Sequence, residues 1–200
     1  GLPTKKRARR ELVFEAVNEV ADVSFEAVQI AYRAVDAAYG VAWHDLAVTW
    51  TVPERLNMIL AGLDVTLSDE RFTKLVADHE DMELHLPPHL APGIEAALSN
   101  LSARYTLGVV SDTIFSPGRA LKQILENYGL LHHFSAFAFS DEVGCSKPAR
   151  GMFDAIAAAA KATGATAIGG SATSTLRDAL PRAAALLDAP LVGEITGVKA

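Results

Sequence analysis

The sequence predicts an α/β protein: a parallel sheet covered by helices, preceded by a purely helical unit. Residues 1–88 place apolar side chains at helical spacing and contain no stretch that alternates like a strand. The run Leu86-Pro87-Pro88-His89-Leu90-Ala91-Pro92-Gly93 then breaks the pattern, because its prolines remove backbone donors and fix φ. Beyond it, short apolar runs alternate with helices, the sequence form of βαβ units. The expected organisation is a helical cap subdomain over residues 1–88 and an α/β core over residues 89–200.

In order along the chain, Pro3 and Thr4 open a first helix carrying Leu12, Val13, Ala16, Val17 and Val20. A second holds Phe25, Val28, Ile30, Ala31 and Ala34 and is expected to reach Gly40. Pro53 begins a third, with Leu56, Ile59 and Leu60 on one face, and Ser68 introduces a fourth through Phe72, Leu75 and Val76. After the prolines, a helix over Gly93 to Ser102 precedes a strand over Tyr105–Val110. Ser116-Pro117 starts a helix with Leu121, Ile124 and Leu125 aligned, closed by Gly129. Phe134–Phe139 is a short strand, Arg150–Thr163 a helix ended by Gly164, and Thr166–Ile168 a further strand.

Composition narrows the function. Half of the 200 residues are apolar, enough for a sizeable core, and the formal net charge of −6 argues against a surface that grips nucleic acid. Cys145 is the single cysteine, which excludes an internal disulfide and a cysteine zinc site. The apolar runs are shorter than the roughly 20 residues a bilayer needs. Lys5, Lys6, Arg7, Arg9 and Arg10 lead into Glu11 rather than an apolar stretch, so the expectation is a cytoplasmic protein with no membrane partner.

In a parallel sheet the reactive groups sit in loops at the carboxyl ends of strands. Two such loops are chemically loaded. Val109-Val110 runs into Ser111-Asp112-Thr113, and Phe139 into Ser140-Asp141-Glu142-Val143-Gly144-Cys145-Ser146-Lys147-Pro148. A hydroxyl on Ser111 and a cation on Lys147 facing one crevice suit a phosphate or carboxylate. The plain alternative is a turn-forming Ser111 and a solvated Lys147.

The stretches "YTLGVVSDT", "GLLHHFSAFAFSDEVGCSKP" and "MFDAIAAAA", with the helices before them, resemble the haloacid dehalogenase superfamily of hydrolases over about residues 1–168. The resemblance implies a Rossmann-like core beneath a helical cap and a small anionic substrate, a phosphoester or a halo-acid. It implies that Ser111 holds the transferring group, with Asp112 beside it, and that Lys147 neutralises the charge of nucleophile and substrate. The superfamily's attacking Asp, in a D-x-D-G-T-like motif, has no counterpart in these 200 residues. Its Gly-Asp…Asp pair, which holds Mg²⁺ in the phosphatases, is replaced by Gly169-Gly170 and Thr175, with Asp178 out of register. A covalent aspartyl mechanism cannot run on Ser111 and Lys147 alone, so the chain as given is expected to be inactive, with no cofactor of its own.

The tail, "GGSATSTLRDALPRAAALLDAPLVGEITGV", resembles the amino-terminal domain of electron-transfer flavoprotein alpha subunits over about residues 165–200, without their flavin-holding part. Pieces resembling two families in one chain point to a chimera joined near residues 164–170, whether a hydrolase scaffold or a non-enzymatic fold; a truncated or diverged protein and a flavoprotein fragment are the alternatives. The resemblance to the hydrolases implies a central first strand that these residues do not supply; its loss would forfeit on the order of 10 kcal/mol, so the segment Pro190–Gly197 is expected to occupy or neighbour that slot.

Other residues carry weaker signals. His79, His85 and His89 among Asp78, Glu80, Asp81 and Glu83 lack metal-ligand spacing and read as solvated acidic surface. Lys5 to Arg10 reads as an exposed basic face. Trp43 and Trp50 read as packing anchors of the helical unit, with a pocket-lining role as the alternative. Cys145 has no base identifiable beside it, and Gly169-Gly170-Ser171 is a weak anion-nest signal.

Overall fold

The computed structural model describes residues 4–164. The strands expected at Thr166–Ile168 and Pro190–Gly197, the junction, and the flavoprotein-like tail lie outside the described residues.

The helical unit comprises α1 (Lys5–Asn18), α2 (Phe25–Asp45), α3 (Val52–Gly62), α4 (Asp69–Glu80) and the single turn α5 (Met82–His85). Hydroxyl side chains start the four long helices. Thr4, Ser24, Thr51 and Ser68 each accept a hydrogen bond from the backbone N–H three residues on, and Thr51 with Glu54 completes a capping box. Val13 and Val17 of α1, Val28, Ala31, Tyr32 and Val35 of α2, Leu56, Ile59 and Leu60 of α3, and Leu75 of α4 form one buried cluster. Each set recurs at three- and four-residue intervals, so each helix turns one stripe inward.

That stripe corrects three expectations. Ile30 stands two residues from Val28, on the opposite side of α2, and is 52% exposed. Arg9 is not part of an exposed basic face: it lies one and two turns before Val13 and Val17 and is 6% exposed. His79, one turn after Leu75, is not solvated surface but 1% exposed. Helix α2 also runs past Gly40 to Asp45.

After the proline-rich segment come α6 (Ile94–Ser102), β1 (Leu107–Ser111), α7 (Gly118–Asn127), a 3₁₀ turn (Leu131–His133), β2 (Phe134–Phe139), the short α8 (Ser140–Val143) and α9 (Arg150–Ala162). The strand β1 starts two residues later than expected because the Tyr105 N–H is spent on the Leu101 carbonyl at the end of α6. The described residues contain one sheet, β1 and β2 paired parallel, with Ser111 abreast of Phe139. The architecture is thus mixed α/β, mostly helical, around a small parallel sheet. A Cβ on Gly118 would come within 2.5 Å of the Phe139 ring, so only glycine lets α7 begin against the end of β2. Among the described residues no helix is long and apolar enough to cross a membrane.

His79 joins the helices through polar groups. Its Nδ1–H donates to the Leu75 carbonyl at 2.9 Å, which leaves Nε2 to accept from the Tyr32 hydroxyl at 2.7 Å. Burial pushes its pKa from 6.5 down to about 4, and the same burial raises that of Tyr32. The unfolded chain takes up a proton near pH 6.5 that the folded chain resists until about pH 4. His79 therefore supports folding fully above pH 6.5 and progressively less as pH falls, a loss of about 3 kcal/mol. Urea unfolding of the native chain should weaken between pH 7 and pH 4 by about this much more than that of His79→Gln, whose amide does not titrate. Parallel pH profiles for the two proteins would contradict the assignment.

Candidate functional site

Both strands leave the sheet on the same side, and their loops meet there. Asp112 accepts from the Lys147 N–H at 3.0 Å through Oδ1, and its Oδ2 lies 3.8 Å from Lys147 Nζ. One carboxylate thus fixes the backbone of Lys147 and stands in a loose ion pair with its ammonium. The side chains are only 11% and 21% exposed, so the pair is screened less than a surface pair. Ser111, the last residue of β1, donates its hydroxyl to the Asp112 carbonyl at 3.1 Å, a weak local bond that a stronger acceptor can displace. All three residues picked from the sequence, Ser111, Asp112 and Lys147, are therefore gathered at one sheet edge.

A second layer supports them. The Thr113 hydroxyl accepts from the Asp141 N–H at 3.1 Å and donates to Asp141 Oδ1 at 2.9 Å. Ser140 Oγ accepts from the Thr113 N–H at 2.9 Å and lies 3.1 Å from the Thr113 hydroxyl, to which it is left to donate. Asp141 also accepts from the Gly118 N–H, tying down the start of α7. Ser140 is fully buried and Thr113 5% exposed, so this satisfied network holds the two loops in register.

The helical unit grips the same loop. Two guanidinium groups lie over the Phe115 ring, Arg9 at 3.9 Å and Arg55 at 4.2 Å from its centre. Arg55 donates to the Ile114 carbonyl at 2.8 Å and to Asp36 at 2.7 Å, and its guanidinium lies over Tyr39. Arg9 faces Glu83 at 3.6 Å, and burial lowers its pKa. On the other side Ser146 N–H donates to the Ala47 carbonyl, docking the Lys147 loop on the end of α2. Arg119 of α7 reaches Asp81 and Glu80, each at 2.6 Å.

Two further polar groups stand near the site, one on Tyr39, for which the sequence carries no signal, and one on Trp43, expected as a packing anchor. The Tyr39 hydroxyl and Trp43 Nε1 are buried one turn apart on α2 without a hydrogen-bond partner among the described residues. Burial raises the Tyr39 pKa, with the negative charge of Asp112 contributing in the same direction. Trp50 packs on Tyr39, 5.8 Å between ring centres, and lines a cleft, so it serves as both anchor and wall. Cys145, in the loop between α8 and α9, is half-buried, and a Cβ on Gly151 of α9 would meet its sulfur.

The magnesium ion implied by the resemblance does not fit these residues. Asp141 already accepts from Thr113 and Gly118, Asp112 is turned to Lys147, and no three His, Cys, Asp or Glu side chains converge as ligands among the described residues.

No family model matches the chain. Over 51 residues it is 37% identical to a protein of Schizosaccharomyces pombe described as an uncharacterised hydrolase. That stretch is 26% of this chain and 21% of the yeast protein, so the chain matches about a fifth of that relative's length. The likeness is hydrolase-like and local.

Phe115→Leu keeps an apolar side chain beneath Arg9 and Arg55 but removes the ring face. We expect a loss of about 1–2 kcal/mol in urea unfolding at low salt. A change within error would show that the guanidinium groups are held by Asp36, Glu83 and Ile114 alone.

Proposed function

We propose that the chain is a scaffold of the haloacid dehalogenase type and carries the anion-holding half of a hydrolase centre. One observation carries this reading: parallel β1 and β2 bring Ser111 and Lys147 to the same sheet edge, with Asp112 fixing the lysine's backbone and loosely paired with its ammonium. An anionic oxygen of a phosphoester or halo-acid would take the Ser111 hydroxyl and one ammonium hydrogen of Lys147. The local identity to a hydrolase supports the reaction class.

Within these 200 residues no D-x-D-G-T-like run supplies an attacking acid. The chain by itself binds its substrate class and does not turn it over. Asp112 tunes that binding, because its charge competes with the ligand for Lys147.

Orthophosphate titrated by calorimetry should bind saturably, and Lys147→Ala should weaken it at least tenfold. Asp112→Asn should tighten it several-fold by releasing the ammonium from its carboxylate. Equal affinities for all three proteins would overturn the anion reading. Turnover of p-nitrophenyl phosphate by the native chain, lost in Lys147→Ala, would overturn the claim of incompetence.

A further inference from the structure

A cavity lies beside this centre and is lined by none of Ser111, Asp112 and Lys147. It is a cleft of about 210 Å³ between the start of α3 and the loop from β1 to α7. For scale, an apolar protein cavity of about 150 Å³ accepts benzene. Trp50, Val52 and Pro53 wall it on one side, Phe115 and Pro117 on the other.

Its polar groups are selective. Ser116 lines the cleft, is only 7% exposed, and its hydroxyl has no hydrogen-bond partner among the described residues. The Thr49 hydroxyl, in the opposite wall, is buried and unpartnered in the same way. A buried hydroxyl left unpaired costs about 1–3 kcal/mol, a penalty that a bound polar group would relieve. The charged side chains lining the cleft are Glu80 and Asp141, and neither Lys, Arg nor His lines it. Arg119 pairs with Glu80, but its side chain is 54% exposed against 17% for Glu80 and is not among the lining residues. The guanidinium groups of Arg9 and Arg55 over Phe115 are offset by Glu83 and Asp36.

We infer that this cleft is a binding site for a small organic cation, an ammonium group on a compact apolar or aromatic body. The ammonium takes the hydroxyls of Ser116 and Thr49, turned into the cleft, as acceptors and gains from Glu80, whose other partner Arg119 is more than half exposed, while Asp141 stays bonded to Thr113 and Gly118. The body fills the space between Trp50 and Phe115, where aromatic surface favours a cation further. An anionic ligand of the same shape meets Glu80 with no lining cation to offset it and is rejected.

Calorimetry with benzylammonium, benzyl alcohol and benzoate tests the inference. Benzylammonium should bind saturably, at least tenfold tighter than benzoate, with benzyl alcohol between them. Ser116→Ala removes a hydroxyl that bonds to nothing in the described protein, so the fold is retained; it should weaken benzylammonium threefold or more. Glu80→Gln should narrow the gap between benzylammonium and benzoate. Lys147→Ala should leave benzylammonium binding unchanged, which separates this site from the anion centre. Benzoate binding as tightly as benzylammonium, absence of saturable binding, or unaltered affinity in both Ser116→Ala and Glu80→Gln would overturn it.

Discussion

Because β1 and β2 run parallel with Ser111 abreast of Phe139, the chain leaves both strands on the same side of the sheet. The meeting of the two loops follows from that placement. Asp112 can reach Lys147 only because residues 35 positions apart emerge side by side. The Thr113–Ser140–Asp141 network closes for the same reason, each hydroxyl finding a donor and an acceptor across the strand ends. A register slip of one residue would send alternate side chains to the other face and leave these buried groups unpaired.

Two arginines of the helical unit join it to this edge. Phe115 extends from the loop after Asp112 and lies beneath Arg9 and Arg55, whose own partners are Glu83 and Asp36. Guanidinium suits such a place, since it is planar, weakly hydrated and stacks on rings. Deleting one member of such a buried set strands the others, so the contact fixes where the helical unit sits over the strand ends. The cleft beneath Trp50 is the space left beside that clasp.

Much of the local structure was legible in the sequence because its causes are local. Pro53 in the first turn of α3 and Ser68 at the cap of α4 specify helix starts, and the aromatic run Phe134–Phe139 bounded by loop residues specifies a strand. Ser111 and Lys147 could be singled out because each follows the end of an expected strand. Burial of Arg9 and His79 runs against their charge and polarity, which by themselves suggest exposure, although their spacing from Val13 and Leu75 puts both on the inward stripe. The hydroxyl network, the Phe115 clasp and the unpartnered groups of Tyr39, Trp43, Thr49 and Ser116 had no local signal, since each depends on which distant segments come together.

The central claim is that Ser111 and Lys147 jointly hold an anion at the carboxyl ends of β1 and β2. A crystal structure of the chain grown with tungstate tests it most directly, because the heavy oxyanion is located without ambiguity. The account predicts tungstate with one oxygen within hydrogen-bond distance of Ser111 Oγ and another of Lys147 Nζ. Ordered tungstate elsewhere on the molecule, with Ser111 still bonded to the Asp112 carbonyl and Lys147 to Asp112, would contradict it.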